Sequence, residues 1–116
     1  MIESLNGTNL KEITLYATEG VKPGMAVGIT DRYTVSVPKI NKPFFGICTS
    51  VKGNFATVAV SGIITIPFSG EDIFIGYNKI SADGAGYVSQ DSACNNYYAV
   101  LDIDQENQLI TISLDK

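Results

Sequence analysis

The chain has 116 residues and a mass of 12.4 kDa, the size of one domain with its own hydrophobic core. Hydrophobic residues make up 45% of it and charged residues 17%, which excludes an intrinsically disordered tail. The net charge of −4 argues against nucleic-acid or anionic-membrane binding, because phosphate contacts need clustered lysine and arginine. Histidine is absent, so the commonest general base and metal ligand is missing.

Composition favours strands over helices. Isoleucine, valine and threonine supply 32 residues against 14 for leucine and alanine, and β-branched side chains fit a pleated surface. Alternating apolar positions predict strands at 12–17, 25–30, 33–37, 44–51, 55–61, 63–68, 86–89, 97–102 and 109–114. Two hairpins are predicted, one around Gly53 and one across 104–107. Gly62 is predicted to mark a bulge or bend inside a longer strand.

Short strands separated by frequent turn signals predict an all-β fold, a small single-domain barrel or sandwich of the β-clip or β-tulip kind. We expect residues 1–18 to form an N-terminal arm or an edge strand, and residues 19–116 to form one β domain. A short helical turn stays open for 70–76. The expected core residues are Val58, Val60, Leu101, Ile103, Leu109, Ile110 and Ile112.

Three glycine turns punctuate these strands. Pro23 pre-sets φ and Gly24 can take a positive φ, so the pair predicts a type II turn that leads into the second strand. Gly53 is placed at the tip of the first hairpin, and Gly84 follows an aspartate in a tight turn.

The sequence offers little for catalysis, so we expect no enzyme, no cofactor and no metal. No histidine can activate a serine, and a Ser50–Lys52 pair on one strand face fits a solvated hairpin end better than a catalytic dyad. Asp102 and Asp104 share a strand face but lack the glycine and the ligand order of a calcium loop.

Cysteines and targeting signals are sparse. Cys48 lies in an apolar run and is expected to be a buried thiol, whereas Cys94 is expected near the surface; a disulfide between them is a minor alternative. The first residues contain neither a basic region nor an apolar stretch, so we expect no signal peptide, no membrane helix, and synthesis in the cytoplasm.

Aromatic residues suggest a binding surface. Adjacent residues of a strand point to opposite faces, so Phe44 and Phe45 cannot share one core, and one should face a second layer, a partner or solvent. Aromatic side chains in such positions are favoured interface anchors. The residues that we expect at an interface are Leu5, Leu10, Phe44, Phe45 and Phe68.

Taken in order, several segments resemble small phage and prophage head proteins of the capsid decoration, or cement, type. The segments are GVKPGMAV (20–27), PFFGIC (43–48), FATVAVSG (55–62), ISADGAG (80–86) and YAVLDID (98–104). The resemblance covers residues 19–114. It departs from the pattern at Ile47 and Cys48, which replace a usual small residue, and at 70–76, which has no counterpart.

The resemblance implies a non-enzymatic structural protein on the exterior of a virion, made in the bacterial host cytoplasm. Its partner would be the major capsid protein of a phage-type shell, with self-association, for example as a trimer, and an N-terminal arm that adds a strand to the shell. One alternative is a tail, head–tail or baseplate module. A second alternative is a lipoyl-like or β-clip ligand-binding barrel, with Lys52 at a hairpin tip as its modified lysine.

Overall fold

The protein is described by a computed structural model that covers residues 8–115, with side chains from residue 10 onward. This part of the chain forms strands and contains no helix, so the predicted all-β single-domain fold is confirmed. The strands are β1 (Thr8–Ala17), β2 (Ala26–Asp31), β3 (Thr34–Ser36), β4 (Gly46–Lys52), β5 (Phe55–Ser69), β6 (Gly76–Ala82), β7 (Val88–Gln90), β8 (Tyr97–Asp104) and β9 (Leu109–Ser113).

The strand pairings close two rings that share β5. The first ring runs β1, β3, β2, β4 and the first half of β5, and it closes where β1 pairs antiparallel with β5. The second ring runs from the second half of β5 through β7, β6, β8 and β9, and it closes where β9 pairs antiparallel with β5. Closed rings give most strands a partner on both sides, which protects the edges that would otherwise template aggregation.

The switch between rings occurs at Gly62. Before it, β5 pairs with β1 and β4; after it, residues 63–67 pair with β9, and only Ile63 is still opposite a residue of β1, Thr8. Gly62 has a φ of +105°, a conformation that favours glycine. Its carbonyl accepts the N–H of Leu114 at 2.8 Å. The predicted bend inside one long strand therefore marks the border between the two rings.

Each ring has its own hydrophobic cluster, and the two clusters differ in side-chain size. The first contains Leu15, Val21, Val27, Val35, Cys48, Ala56 and Val58. The second contains Ala26, Phe44, Ile47, Ala59, Ile64, Ile66, Phe68, Ile73, Ile80, Val88, Tyr98, Val100, Ile110, Ile112 and Leu114. Four members of the second cluster (Ala26, Phe44, Ile47, Ala59) come from the first ring and its loops, so the two rings pack as one body.

Strand β6 is absent from the sequence prediction because two of its buried side chains, which strand alternation places on opposite faces, are polar. Asn78 and Ser81 are buried, which interrupts the apolar alternation. The amide of Asn78 donates to the carbonyls of Phe74 (2.6 Å) and Gly76 (3.1 Å) and accepts the Phe74 N–H (3.1 Å). Burial without these bonds would be costly, so the loop before β6 makes the strand possible. That loop, 70–76, forms bends and not the helical turn left open above.

Leu101 also departs from its prediction. A register shift between Val100 and Asp102 opposite β9 inserts an extra residue into β8, and Leu101 is exposed as a result. Of the other expected core residues, Val58, Ile110 and Ile112 are buried. Val60, Ile103 and Leu109 are half-buried.

The first described strand belongs to the first ring. β1 runs beside β5 from Thr8 to Tyr16, pairs with β3 at its end, and buries Leu15 in the first cluster. Residues 1–7 of the expected arm lie outside the described residues. Within residues 8–115 no helix has the length and apolarity needed to cross a bilayer.

The cysteines are not joined. Cys48 and Cys94 are free thiols, the first buried and the second half-buried. Burial raises the pKa of the Cys48 thiol, and a hydrogen bond with the Ser50 backbone partly opposes that rise. Cys48 therefore behaves as the small apolar core residue that the sequence predicted.

Candidate interaction surfaces

The turn residues shape the entry to β2. The N–H of Met25 donates to the Lys22 carbonyl at 3.2 Å, and Gly24 has a φ of +91°, the geometry of a type II turn. The Gly24 N–H donates to the Cys48 carbonyl at 2.7 Å, which ties the turn to β4. Gly53 and Gly84 also have positive φ values, of 62° and 89°, in their turns.

The aromatic residues expected at an interface divide between core and surface. Phe44 is 6% exposed and stacks on Tyr98 with ring centroids 5.0 Å apart, and Phe68 is 2% exposed. Burial leaves both rings little surface to offer a partner in the single chain, and their role as anchors stays a prediction. Phe45, in the loop just before β4, is 44% exposed.

The two leucines expected at an interface have different outcomes. Leu10 packs against the second cluster and is half-buried. Leu5 lies outside the described residues. Phe45 is therefore the expected anchor whose ring the structure leaves open to a partner.

An apolar groove lies beside Phe45, between β2 and the loop after β3. The main hollow encloses about 400 Å³, and a smaller hollow next to it shares Ile29 and Pro43 and includes Phe45. The main hollow is lined by Gly28, Ile29, Thr30, Ser36, Val37, Pro38, Lys39, Lys42 and Pro43. We call the two hollows together the lysine groove, because Lys39 and Lys42 are its charged members and both are exposed.

Local contacts hold the lysine groove in shape. Pro38 packs over Gly28, where an added Cβ would lie 3.3 Å from the proline Cγ. The loop is fastened to β6, because the Asn41 N–H donates to the Ala82 carbonyl at 2.8 Å and the Ala82 N–H donates to the Lys42 carbonyl at 2.9 Å. The groove is therefore built on hydrogen-bonded backbone.

A second apolar surface lies on the outer face of β6 and β8. Tyr77 is opposite Ala99 and Lys79 is opposite Tyr97 in the ladder, so these side chains share the face that points away from the core. Tyr77 is 72% exposed, and Tyr97 and Leu101 on β8 and Ile75 just before β6 are exposed as well. We call Ile75, Tyr77, Tyr97 and Leu101 the tyrosine patch. Sequence reasoning missed it because β6 and the bulge at Leu101 were not predicted.

A third exposed aromatic group lies at the end of the β4–β5 hairpin. Tyr16 stacks on Phe55 with centroids 5.0 Å apart, and Tyr33 is 75% exposed. The hollow beside them, about 530 Å³, is lined by Thr14, Ser50, Lys52, Gly53, Asn54, Phe55 and Thr57. We call this surface the hairpin end.

The hairpin end contains Ser50 and Lys52, the pair weighed above as a catalytic dyad. Ser50 and Lys52 line the same hollow, as their shared strand face predicts, but both side chains are exposed and no hydrogen bond joins them in the described chain. A lysine base works from a site shielded from water, which this hollow does not provide. Lys52 ends β4 at the tip of the hairpin, where the carrier alternative would place a modified lysine.

The carboxylates at the β8–β9 hairpin have structural partners. Asn107 donates to Asp104 from its side chain (2.8 Å) and its backbone (3.1 Å), and these two bonds lower the pKa of Asp104. Asp102 and Asp104 are both exposed and lie on one face, opposite Thr111 and Leu109. Among residues 8–115 no three histidine, cysteine, aspartate or glutamate side chains cluster as metal ligands do.

Formal charge is divided unequally between the two rings. Residues 8–61, which build the first ring, contain six basic and three acidic residues. Residues 62–115, which build the second ring, contain one basic residue, Lys79, and eight acidic ones. The lysine groove thus lies on the basic part of the molecule and the tyrosine patch on the acidic part. Such a separation orients a protein toward charged partners.

Comparison with known proteins shows a likeness of fold. No protein-family model matches the chain, and no curated protein matches it. A chain in the solved structure of the capsid of Myoviridae Phage XM1 has a similar fold, with a TM-score of 0.66 and 12% sequence identity. The match covers 100% of this chain and 95% of that chain, so the likeness extends over both rings.

Proposed function

We propose that this chain is a non-enzymatic structural protein of a phage-type virion that binds the outside of the capsid shell and stabilises it. The observation that supports this most strongly is the fold likeness over the full chain to a chain of a phage capsid. The segments that resemble capsid decoration proteins point independently in the same direction. The proposed partner is the major capsid protein of the shell.

The structure has the physical features that such a role needs. Two closed rings packed as one body give a rigid unit with little exposed strand edge. Exposed aromatic and aliphatic side chains, Phe45 among them, provide surfaces for protein contacts. Many modest contacts repeated over a shell act together, so each copy needs only limited affinity to stabilise the whole particle.

Within this proposal the arm is the part of residues 1–18 that precedes β1. Residues 8–17 already pair inside the first ring. Residues 1–7, with Leu5 among them, would then be the segment that adds a strand to the shell by backbone hydrogen bonds.

The decisive test is quantitative peptide mass spectrometry on gradient-purified particles. We expect this protein at a copy number comparable to that of the major capsid protein. A few copies per particle would assign it to the tail, the baseplate or a vertex instead. Absence from intact particles, while the protein is expressed in the cell, would overturn the virion role and favour a ligand-binding barrel.

A binding experiment locates the surface that faces the shell. Purified protein is added to shells that lack it, and the bound fraction and the melting temperature of the shells are measured. We expect wild-type protein to raise the melting temperature and the Phe45→Ser variant to bind more weakly. A matched control, Tyr33→Ser, removes an exposed aromatic ring at the hairpin end. Equal loss in both variants would refute a specific role of Phe45.

A further inference from the structure

We propose that the hollow at the hairpin end binds an acidic saccharide, with the sugar ring against the aromatic pair and the carboxylate at Lys52. This inference goes beyond the proposed function and does not depend on it. It rests on aromatic and polar side chains that three neighbouring strands bring to one face of the sheet.

The first row of side chains across this face is aromatic and basic. Tyr16 of β1 is opposite Phe55 of β5, and Phe55 is opposite Lys52 of β4. The two rings stack on each other, and each remains about half exposed. The row therefore offers an apolar surface that ends at an exposed ammonium group.

The second row consists of hydroxyl groups. Thr14 is opposite Thr57, and Thr57 is opposite Ser50. Residues two apart on a strand lie on the same face about 7 Å from each other, so the hydroxyl row runs beside the aromatic row. Asn54, in the hairpin turn, adds an amide to the lining of the same hollow. The strand register thus places hydrogen-bonding groups alongside apolar rings.

The polar groups of the hollow have no partner in the part of the chain that the structure describes. No hydrogen bond or ion pair there uses the hydroxyls of Thr14, Ser50 and Thr57, the Asn54 amide or the Lys52 ammonium group. Donors and acceptors that converge on one hollow can exchange water for the hydroxyl groups of a ligand.

Charge favours an acidic ligand over a neutral one. Lys52 is the charged residue that lines the hollow, and it belongs to the basic part of the molecule. Glu12 lies on the same face, two residues before Thr14, but its carboxylate accepts the Thr49 hydroxyl at 2.5 Å and does not line the hollow. Lys52 is therefore available for a charge-assisted hydrogen bond to a ligand carboxylate.

A saccharide fits this chemistry better than a peptide does. A sugar ring presents C–H groups on its face and hydroxyls around its rim, which match aromatic rings beside a row of hydroxyls. A peptide that adds as a strand needs an open strand edge, and β5 in the middle of the site is paired with β1 and β4 on its two sides. The volume of about 530 Å³ lies within the range of small-molecule sites.

A titration followed by NMR chemical shifts tests the proposal. Isotope-labelled protein is titrated with three acidic sugars (glucuronic acid, galacturonic acid and N-acetylneuraminic acid), with glucose and with triglutamate. We expect at least one acidic sugar to shift the resonances of the lining residues and to saturate with a Kd on the order of 1 mM, as suits a ligand of this size. Glucose should bind at least about fivefold more weakly, because it lacks the carboxylate. High salt should reduce that difference.

Two variants separate the contributions of charge and of the rings. Lys52→Gln should bind acidic sugars no better than glucose, and Phe55→Ser should bind every sugar at least about tenfold more weakly. The matched controls are Lys22→Gln, at an exposed lysine outside the hollow, and Tyr77→Ser, at an exposed ring of the tyrosine patch. Both should bind as wild type does. Thermal unfolding of each variant verifies that it folds.

Three outcomes overturn the proposal. The first is the absence of saturable binding by all three acidic sugars at tens of millimolar. The second is unchanged binding in Lys52→Gln, which would place the carboxylate elsewhere. The third is tighter binding of triglutamate than of any sugar, which would identify an acidic peptide as the ligand.

The shell-binding experiment keeps this inference apart from the proposed function. Phe45→Ser should bind sugars as wild type does, and Lys52→Gln should bind shells as wild type does, because the two residues belong to different hollows. A protein that binds acidic sugars but is absent from particles retains this site and loses the virion role. A protein that is present in particles but binds no acidic sugar retains the role and loses the site.

Discussion

The two rings share one strand but are built differently. The first ring is filled by valine, alanine and cysteine with a single leucine, while the second holds isoleucines and the rings of Phe44, Phe68 and Tyr98. The second cluster also takes residues from the outside of the first ring. Burial of large side chains removes more apolar surface from water, so the second cluster contributes more of the hydrophobic stabilisation than the first.

The rings differ in charge as well as in packing. The basic first ring presents the lysine groove and the acidic second ring presents the tyrosine patch. A single chain with two unlike halves can therefore offer two unlike binding surfaces.

The largest effect is expected from truncating the second cluster. Phe68→Ala should lower the free energy of unfolding by about 3–5 kcal/mol, because it removes a fully buried ring and leaves a cavity. Val58→Ala, the matched change in the first cluster, should cost about 2 kcal/mol, since it deletes less buried surface. Urea unfolding of both variants measures the difference.

The shared strand also predicts how cooperatively the two variants unfold. Because β5 belongs to both rings, each variant should still unfold in one cooperative transition. Equal losses in the two variants, or separate transitions for the two rings, would show that the comparison between the rings is wrong.

A smaller effect is expected at the polar centre of β6. Asn78→Ala removes the side chain that binds the backbone of Phe74 and Gly76, and it should cost about 1–3 kcal/mol. Amide hydrogen exchange should be faster at Phe74, whose N–H loses its acceptor. Asn95→Ala, at an exposed asparagine, serves as the control and should change stability by less than about 0.5 kcal/mol. Unchanged exchange at Phe74 would contradict the role of Asn78.

A further effect, confined to alkaline conditions, is a loss of stability at high pH. Burial, and secondarily the charge of nearby Cys94, raises the pKa of Tyr98 to about 12 from an ordinary value of 10.0. The folded state therefore holds this proton more tightly than the unfolded state. The resulting stability is fully present below pH 10 and is lost as the pH rises toward 12.

The variant Tyr98→Phe isolates this contribution. It should unfold with a shallower decline of stability between pH 10 and 12 than wild type does. Tyr33→Phe, at an exposed ring, should retain the wild-type decline. If Tyr98→Phe and wild type decline with the same slope, another group is responsible for the alkaline loss.

Local patterns were sufficient for much of the fold. The hairpins around Gly53 and across 104–107 were predicted because turn residues separate alternating strands, and both are present. The bend at Gly62 was predicted because a glycine interrupts a long apolar run. Strand β6 was not predicted, because its buried Asn78 breaks the apolar alternation. The hydrogen bonds with the Phe74 backbone that make this burial possible leave no signal in the hydrophobic pattern.

The candidate surfaces depended on information that no local pattern contains. Phe44, Phe45 and Phe68 look alike in sequence, yet one ring is exposed and two are buried, because burial depends on which layer packs over each strand. Leu101 is exposed because of a bulge whose partner strand lies about ten residues further along the chain.

The sequence by itself determined the strand content, the turns and the poverty of catalytic groups, because these follow from residue type and from neighbours a few positions away. Only the tertiary structure decided that β5 closes two rings, that charge separates between them, and that the lysine groove and the tyrosine patch lie on unlike halves. The physical reason is that strand pairing joins residues distant in the chain, so the face a side chain occupies depends on its partner.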